Sequence, residues 1–451
     1  MELFLINFFF NMEIKKVYIE TYGCQMNFYD TEILSGILSK TGHYEIIDEP
    51  TTADFILLNT CSVRENAETT VYNRIIQLKQ YKKQNKNLLI GLVGCMAERL
   101  KDEVFNKSDL VKIVIGPDEY RRAPEILDNS LAGDIGVAVR LSRVETYEDI
   151  EPLRTYGLSA WLAIMRGCNH FCSYCIVPYT RGRERSRSLQ SIVNEIEKLQ
   201  LNGFKEVTLL GQNVNSYYDN SSKTTFPNLL RIIARTFPQM RIRYVTSHPL
   251  DLSDDLLYAM NEFENICNYI HLPFQSGSNR ILKLMNRGYT REHYIERIQR
   301  INQILQNFAL STDIIAGFPT ETIDDHNETL NLMEEIHFDG AFMFKYSPRE
   351  GTKSFKILDD VQEEEKIRRL NEIITLQNKH SKEKNQKEIG KIYEVLAEGP
   401  SKKNQIEWMG RTKHNKVVIF NNAENLIHSG NQVNVLITKA NSATLFGNVQ
   451  D

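Results

Sequence analysis

Three cysteines recur at nearly even spacing near the start of the chain, and their positions constrain its fold strongly. Cys24, Cys61 and Cys95 are separated by 37 and 34 residues, about the length of one βα repeat. Each follows an apolar run that predicts a strand, namely residues 17–21, 55–58 and 88–93. Strands connected in this way form an open parallel sheet whose carboxyl ends share one edge. We therefore expect the three thiols to converge there.

Three unrelated buried cysteines are the alternative, because free cysteine is among the most buried residue types. The repeated position after a strand favours convergence, as do Gly23 and Gly94 beside two of the thiols. Asp30 is placed to cap a helix that Gly42 ends. Its apolar residues would share one face: Ile33, Leu34, Ile37 and Leu38.

Composition narrows the class of protein. Seven cysteines, an odd number in 451 residues, argue against a secreted disulfide framework and favour a cytoplasmic protein. A net charge of −4 gives no global reason to expect nucleic acid. The apolar run 3–10 is too short to cross a bilayer and lacks the flanks of a signal peptide. We expect residues 1–14 to form a disordered extension and no membrane association.

Three domains are predicted beyond that extension. Residues 15–140 form the open α/β sheet. Residues 155–385 contain six βα units in series, which predict a partial (β/α)6 barrel with its chemistry at the strand carboxyl ends. Their strands are expected at 160–165, 206–210, 241–246, 269–272, 309–314 and 341–346. Residues 388–451 contain five short strands with glycine and asparagine turns, which predict a small β-barrel.

The run from Cys168 to Cys175 carries the chemistry. Its C-x3-C-x2-C spacing places Cys168, Cys172 and Cys175 on the loop after the first strand of the partial barrel. A structural zinc site needs four ligands, and His170 between two of the cysteines would chelate with strain. Three thiolates suit a [4Fe–4S] cluster with one open iron, which could bind and activate a further molecule.

This motif resembles that of the radical S-adenosylmethionine enzymes. The segments around Cys24, Cys61 and Cys95 are similar to the amino-terminal domain of the methylthiotransferases, as in Thr21-Tyr-Gly-Cys-Gln-Met-Asn27. Arg166–Arg187, His271–Ser278, Met285–Tyr289 and Asp313–Glu321 are similar to the branch that modifies adenosine 37 of tRNA. The carboxyl-terminal barrel resembles the TRAM module, an RNA-binding fold. The likeness extends from Lys15 to Val449.

The resemblance implies two [4Fe–4S] clusters and S-adenosylmethionine as both radical source and methyl donor. Cys168, Cys172 and Cys175 would hold the radical-generating cluster, and Cys24, Cys61 and Cys95 an auxiliary cluster that delivers sulfur. The implied reaction is methylthiolation of C2 of N6-dimethylallyladenosine at position 37 of the tRNA anticodon loop. A reducing donor such as flavodoxin or ferredoxin would supply electrons, and we expect a monomer.

The positions of polar and basic residues along the sequence suggest which of them contact the cofactor and the RNA. Six side chains lie in the motif or near strand ends facing the expected cofactor cleft: Tyr174, Gln212, Ser247, Gln275, Arg287 and Asp313. A basic run beside the radical-generating cluster suggests phosphate contacts by Arg181, Arg183, Arg185 and Arg187. Between Ser381 and Asp451, ten basic residues face seven acidic ones, a mild excess that suits RNA.

Two alternatives remain open on the sequence. The same chemistry could act on threonylcarbamoyladenosine 37 of tRNA or on an aspartate of a ribosomal protein. A different class, a non-catalytic iron–sulfur RNA-binding regulator, would leave both open irons idle. It predicts no cleavage of S-adenosylmethionine, and the polar residues after successive strands argue against it.

Overall fold

The computed structural model describes residues 13–62, 65–154, 157–401, 406–422 and 426–450. The predicted disordered extension lies mostly outside them. The chain forms two compact units. The first takes the described residues of 1–155 with 165–169 and 175–187, and the second takes the remainder. The predicted limits of the three domains stay a prediction.

A six-stranded parallel sheet forms the first unit, in the order β2-β1-β3-β4-β5-β6. Its strands are β1 (Lys15–Tyr22), β2 (Tyr44–Ile47), β3 (Phe55–Thr60), β4 (Leu89–Gly94), β5 (Val111–Ile115) and β6 (Gly136–Ala138). Its helices are α1 (Gln25–Lys40), α2 (Glu65–Gln77), α3 (Lys79–Gln84), α4 (Cys95–Leu100), α5 (Glu103–Lys107) and α6 (Ala123–Leu131). The predicted open α/β sheet is confirmed.

The central strands are apolar along their length because helices cover both faces of the sheet. All six residues of β3 are buried. One difference concerns Asp30, which we expected to cap α1. The helix begins six residues earlier, with Cys24 in the capping position, and Asp30 is a buried residue inside it. The cap prediction is therefore wrong.

Six parallel strands of the second unit form the partial barrel, as two three-stranded sheets in the orders β9-β8-β7 and β10-β11-β12. The strands are β7 (Ser159–Ala163), β8 (Glu206–Leu210), β9 (Arg241–Tyr244), β10 (Tyr269–His271), β11 (Ala309–Ala316) and β12 (Gly340–Lys345). The helices are α7 (Leu189–Leu201), α8 (Phe226–Thr236), α9 (Asp254–Glu262), α10 (Asn279–Leu284), α11 (Arg291–Ile304), α12 (Ile323–Ile336) and α13 (Glu363–Gln386). An isolated parallel bridge joins Ile242 of β9 to Ile266, three residues before β10.

A closed five-stranded barrel completes the second unit, in the order β13-β14-β15-β17-β16. Its strands are β13 (Ile392–Pro400), β14 (Glu407–Thr412), β15 (Val417–Asn421), β16 (Gln432–Ala440) and β17 (Thr444–Val449). The core includes Val395, Val418, Phe420, Val435 and Leu445, and in β15, β16 and β17 these core residues alternate with more exposed ones, as a barrel requires. The predicted small β-barrel is confirmed. Across the described residues, no helix combines the length and apolarity that a bilayer crossing needs.

Candidate metal centres and cofactor site

The three amino-terminal cysteines follow three neighbouring strands. Cys24 lies two residues beyond β1, and Cys61 and Cys95 directly follow β3 and β4. A close approach of the loops requires glycine at position 23, where a Cβ would lie 2.6 Å from the Cβ of Cys61. Gly94, at φ +91°, leaves room in the same way for Asn59, whose Oδ1 would be 2.4 Å from a Cβ. The structure thus brings these loops to one edge of the sheet, as the spacing predicts.

Their surroundings favour thiolate at one position and thiol at another. A hydrogen bond with the side chain of Cys61 and the charge of Arg181 lower the pKa of Cys24. Its position at the amino end of the 16-residue helix α1 also favours an anion. Burial raises the pKa of Cys95, and Arg181 offsets part of that rise. The guanidinium of Arg181 therefore acts on two of the three thiols.

A buried ionic cluster holds Arg181 in place. The carboxylate of Asp30 accepts hydrogen bonds from Arg166 (2.9 Å) and Arg181 (2.7 Å). Asp118 accepts two from Arg185, both at 3.0 Å. All five side chains are almost completely buried. Three guanidinium groups thus face two carboxylates in this cluster, an excess of one positive charge.

That excess fits an iron–sulfur cluster. Buried charge is costly unless it is compensated, and Nη1 of Arg181 is buried and has no hydrogen-bond partner among the described residues. An oxidised [4Fe–4S] cube held by three thiolates carries one net negative charge and exposes sulfur acceptors. The thiols, the excess charge and the unpaired donor therefore suit such a group.

The same observations correct the predicted RNA contacts. Arg181, Arg185 and Arg187 are 2%, 6% and 2% exposed, and Arg187 donates a hydrogen bond to the hydroxyl of Tyr29 (2.9 Å). Buried side chains with internal partners cannot reach a phosphate backbone, so the prediction is wrong for these three. Arg183 is exposed, and its contact with RNA stays a prediction.

The C-x3-C-x2-C segment is divided between the two units, and backbone hydrogen bonds hold its part in each of them. In the first unit, the amide of Cys168 donates to the carbonyl of Gly182 (3.1 Å). A Cβ on Gly167 would lie 2.0 Å from the carbonyl oxygen of Arg183, so the approach requires glycine. Cys175 also belongs to the first unit, and Cys172 to the second. In the second unit, the amide of Ser173 donates to the carbonyl of Met285 (2.8 Å).

Arg287 is the predicted cofactor residue with the most informative contacts. Its guanidinium is buried and donates to Sγ of Cys172 (3.2 Å), the hydroxyl of Tyr174 (3.4 Å) and the carbonyl of Pro273 (3.0 Å). Among the described residues, no carboxylate forms an ion pair with it. A buried cation beside a candidate cluster ligand suits the negative charge that a thiolate-bound cluster would bring.

Four further predicted cofactor residues lie at or near the carboxyl ends of strands. Gln212 is half-buried after β8, and Ser247 is buried after β9 and donates to Asn215 (3.2 Å). Gln275 is buried in the left-handed region, at φ +68°. Asp313 lies inside β11, three residues before its end, and its carboxylate is 3.2 Å from Nε2 of His271. Their contacts with a cofactor stay predictions.

A hydrogen-bonded group around His170 was not among the predicted site residues. Nε2 of His170 is 2.6 Å from Asp251, whose carboxylate also accepts from Asn213 (2.6 Å). The ring of His170 stacks on His248 with centroids 3.7 Å apart and planes within 9°. The polar loops after β8 and β9 were the available sequence signal.

Family models divide the chain in the same order as the structure. One described as "Uncharacterized protein family UPF0004" matches residues 16–116, the "Radical SAM superfamily" matches residues 162–333, and the "TRAM domain" matches residues 386–449. The central section thus belongs to a superfamily that binds a [4Fe–4S] cluster and S-adenosylmethionine.

Solved structures support the fold. The radical S-adenosylmethionine methyltransferase TsrM from Kitasatospora setae aligns with a TM-score of 0.54 at 15% identity, covering 73% of this chain and 72% of that one. The cobalamin-dependent S-adenosylmethionine radical enzyme OxsB aligns with a TM-score of 0.53 at 15% identity, covering 81% and 56%. At this identity the likeness concerns the fold alone.

Curated relatives are far more similar. A protein of Chloroherpeton thalassium is 52% identical over 434 residues, 96% of each chain, and one of Phocaeicola vulgatus is 51% identical over 443 residues, again 96% of each. Both are named tRNA-2-methylthio-N(6)-dimethylallyladenosine synthase. With this identity across nearly its whole length, the chain belongs to the tRNA-2-methylthio-N(6)-dimethylallyladenosine synthase family of radical S-adenosylmethionine enzymes.

Proposed function

We propose that the chain methylthiolates C2 of N6-dimethylallyladenosine at position 37 of tRNA. The observation that carries this proposal is the identity of about half of all residues with synthases of that name over 96% of the chain. The combination of three domains supports the proposal. The thiol-bearing sheet suits an auxiliary cluster, the partial (β/α)6 barrel suits a radical-generating cluster, and the small β-barrel suits RNA binding.

Two [4Fe–4S] clusters belong to this proposal. Cys24, Cys61 and Cys95 would hold the auxiliary cluster, supported by the meeting of their loops and by the excess positive charge around Arg181. Cys168, Cys172 and Cys175 would hold the radical-generating cluster, supported by their spacing and by the contact of Cys172 with Arg287. When bound, the clusters and S-adenosylmethionine supply the radical, the sulfur and the methyl group.

The chain's own residues bind and orient these groups. Arg181 would donate to the auxiliary cluster from a position that Asp30 fixes. Arg287 would hold Cys172 and Tyr174 in register through its hydrogen bonds to both. Buried guanidinium groups are rigid and stay charged, so both arginines offer preorganised positive charge where negative charge must be stabilised.

The small β-barrel would contribute RNA contacts. On its surface, a cavity of about 310 Å³ is lined by Phe420, Lys439 and Phe446 among others, and the ammonium of Lys439 lies 5.8 Å from the ring centroid of Phe446. A basic group above a half-buried aromatic ring suits a nucleic acid, which offers both phosphates and base faces. A flavodoxin or ferredoxin donor, a monomeric state and a cytoplasmic location remain our predictions.

Nucleoside mass spectrometry of cellular tRNA tests the proposal. In cells that lack the gene, 2-methylthio-N6-dimethylallyladenosine should disappear and its unthiolated precursor should accumulate, and complementation should reverse both. An unchanged nucleoside pool would refute the proposal. Loss of the methylthiolated threonylcarbamoyl nucleoside instead would support the alternative tRNA substrate.

A further inference from the structure

Strand β12 exposes two phenylalanines on one face. Phe342 and Phe344 are alternate residues of the strand, so their side chains project to the same side of the sheet. They are 53% and 38% exposed, and β12 is the edge strand of its three-stranded sheet. Exposed aromatic residues grouped in this way mark a surface that a partner covers.

The parallel register shows which residues share that face. Phe342 pairs with Asp313 of β11, and Phe344 pairs with Ile315. His271 of β10 confirms the arrangement, because Nε2 of its ring lies 3.2 Å from Asp313 and its ring packs edge-on to Phe342 with centroids 5.6 Å apart. The two phenylalanines therefore adjoin a polar group that includes a predicted cofactor residue.

The apolar side of this face continues to the cysteine-bearing loop. Ile315 packs against a core cluster of Ile281, Met285, Phe318 and Tyr346, and Tyr174 packs against the same cluster. Tyr174 lies two residues after Cys172 and accepts a hydrogen bond from Arg287. A molecule lying on Phe342 and Phe344 would thus be next to the residues proposed to bind the cofactor.

The charges on this face disfavour an anion. The strands β10, β11 and β12 carry no lysine or arginine on it, because Lys345 projects from the opposite face and pairs with Glu363. Asp313 adds a carboxylate. A threonylcarbamoyl group, which ends in a carboxylate, would meet repulsion from Asp313 with no lysine or arginine of these three strands to offset it, whereas a neutral branched alkenyl group would find aromatic surface.

We propose that Phe342 and Phe344 bind the dimethylallyl group of the target nucleotide and select prenylated adenosine over unmodified or threonylcarbamoylated adenosine. The inference rests on the proposed function and adds its basis of specificity. Buried apolar contact of this size contributes differential binding on the order of tenfold or more. The two residues would position the base and take no part in the chemical step.

Paired RNA binding tests the inference. The cluster-loaded protein is titrated with two anticodon stem–loops that differ only in having N6-dimethylallyladenosine or adenosine at the target position. The wild type should bind the prenylated RNA at least about tenfold more tightly. The double variant Phe342→Ala, Phe344→Ala should bring the two affinities within about twofold, while Phe342→Leu should keep most of the preference. Tyr258→Ala, an exposed aromatic on α9, should leave the ratio unchanged.

The outcomes separate the inference from the proposed function. General damage to the fold would weaken binding of both RNAs and leave their ratio intact. A double variant that keeps the wild-type ratio, or a wild type without preference, would overturn the inference. Mass spectrometry of the prenylated RNA after reaction with wild-type enzyme is run in parallel, and only the absence of methylthiolated product there would count against the proposed function.

Discussion

Neutralising Asp30 should destabilise the first unit strongly. Its side chain is 0% exposed and accepts hydrogen bonds from Arg166 at 2.9 Å and Arg181 at 2.7 Å. Asp30→Asn keeps the shape but leaves two buried guanidinium groups without this counter-charge. Removing one partner of a buried ion pair costs about 3–5 kcal/mol. Hydrogen exchange that proceeds through opening of this region should therefore accelerate by roughly a hundred- to several-thousand-fold.

Hydrogen exchange with mass spectrometry measures this effect locally. Peptides from α1 and from residues 175–187 should show the acceleration, and peptides from β10 to β12 in the other unit should not. Glu125→Gln is the matched control, because it removes a surface pair with Arg122 at 3.2 Å that contributes at most about 1 kcal/mol. An acceleration below about tenfold in Asp30→Asn would refute the account of a charge-balanced buried cluster.

Three other predictions concern the clusters and a buried carboxyl. Arg181→Met should lower the midpoint potential of the auxiliary cluster by on the order of 100 mV, because a neighbouring positive charge stabilises the reduced state. Redox titration followed by electron paramagnetic resonance measures this potential, and Arg183→Met should leave it unchanged. Cys172→Ala should halve the iron content and abolish cleavage of S-adenosylmethionine to 5′-deoxyadenosine. Cys61→Ala should also lose half of the iron, but it should retain this cleavage and lose methylthiolation. Loss of cleavage in both variants would contradict separate roles for the two clusters. Burial raises the pKa of Glu98 to about 7, so ionisation of this carboxyl destabilises the folded state increasingly between about pH 4.5 and 7 and fully above pH 7. Glu98→Gln should therefore stabilise the protein at pH 8 by at most about 3 kcal/mol and have no such effect at pH 4. Thermal unfolding at the two pH values measures the difference.

Features set by local pattern could be predicted from the sequence. Continuous apolar runs predicted β3 and β4, and the residues just after them were correctly placed at one sheet edge. Local capping acts in the same way at α7, where the side chain of Ser188 accepts a hydrogen bond from the amide of Ser191. Hydrophobic periodicity and capping depend on residues near in sequence, which is why these predictions hold.

Features set by distant partners could not be predicted. Asp30 has the sequence context of a helix cap, but its partners Arg166 and Arg181 are 136 and 151 residues away. For the same reason Arg181, Arg185 and Arg187 resembled a basic RNA-binding run, because their buried acceptors lie far along the chain. A charged run gives the same sequence pattern whether it faces solvent or a buried counter-charge.

Methylthiolation by the purified protein tests the central claim most directly. The anaerobically reconstituted enzyme is incubated with S-adenosylmethionine, a reductant and an anticodon stem–loop containing N6-dimethylallyladenosine, and the digested RNA is analysed by mass spectrometry. The account predicts 2-methylthio-N6-dimethylallyladenosine together with 5′-deoxyadenosine. Cleavage of S-adenosylmethionine by the cluster-loaded enzyme with the RNA left unchanged would contradict it.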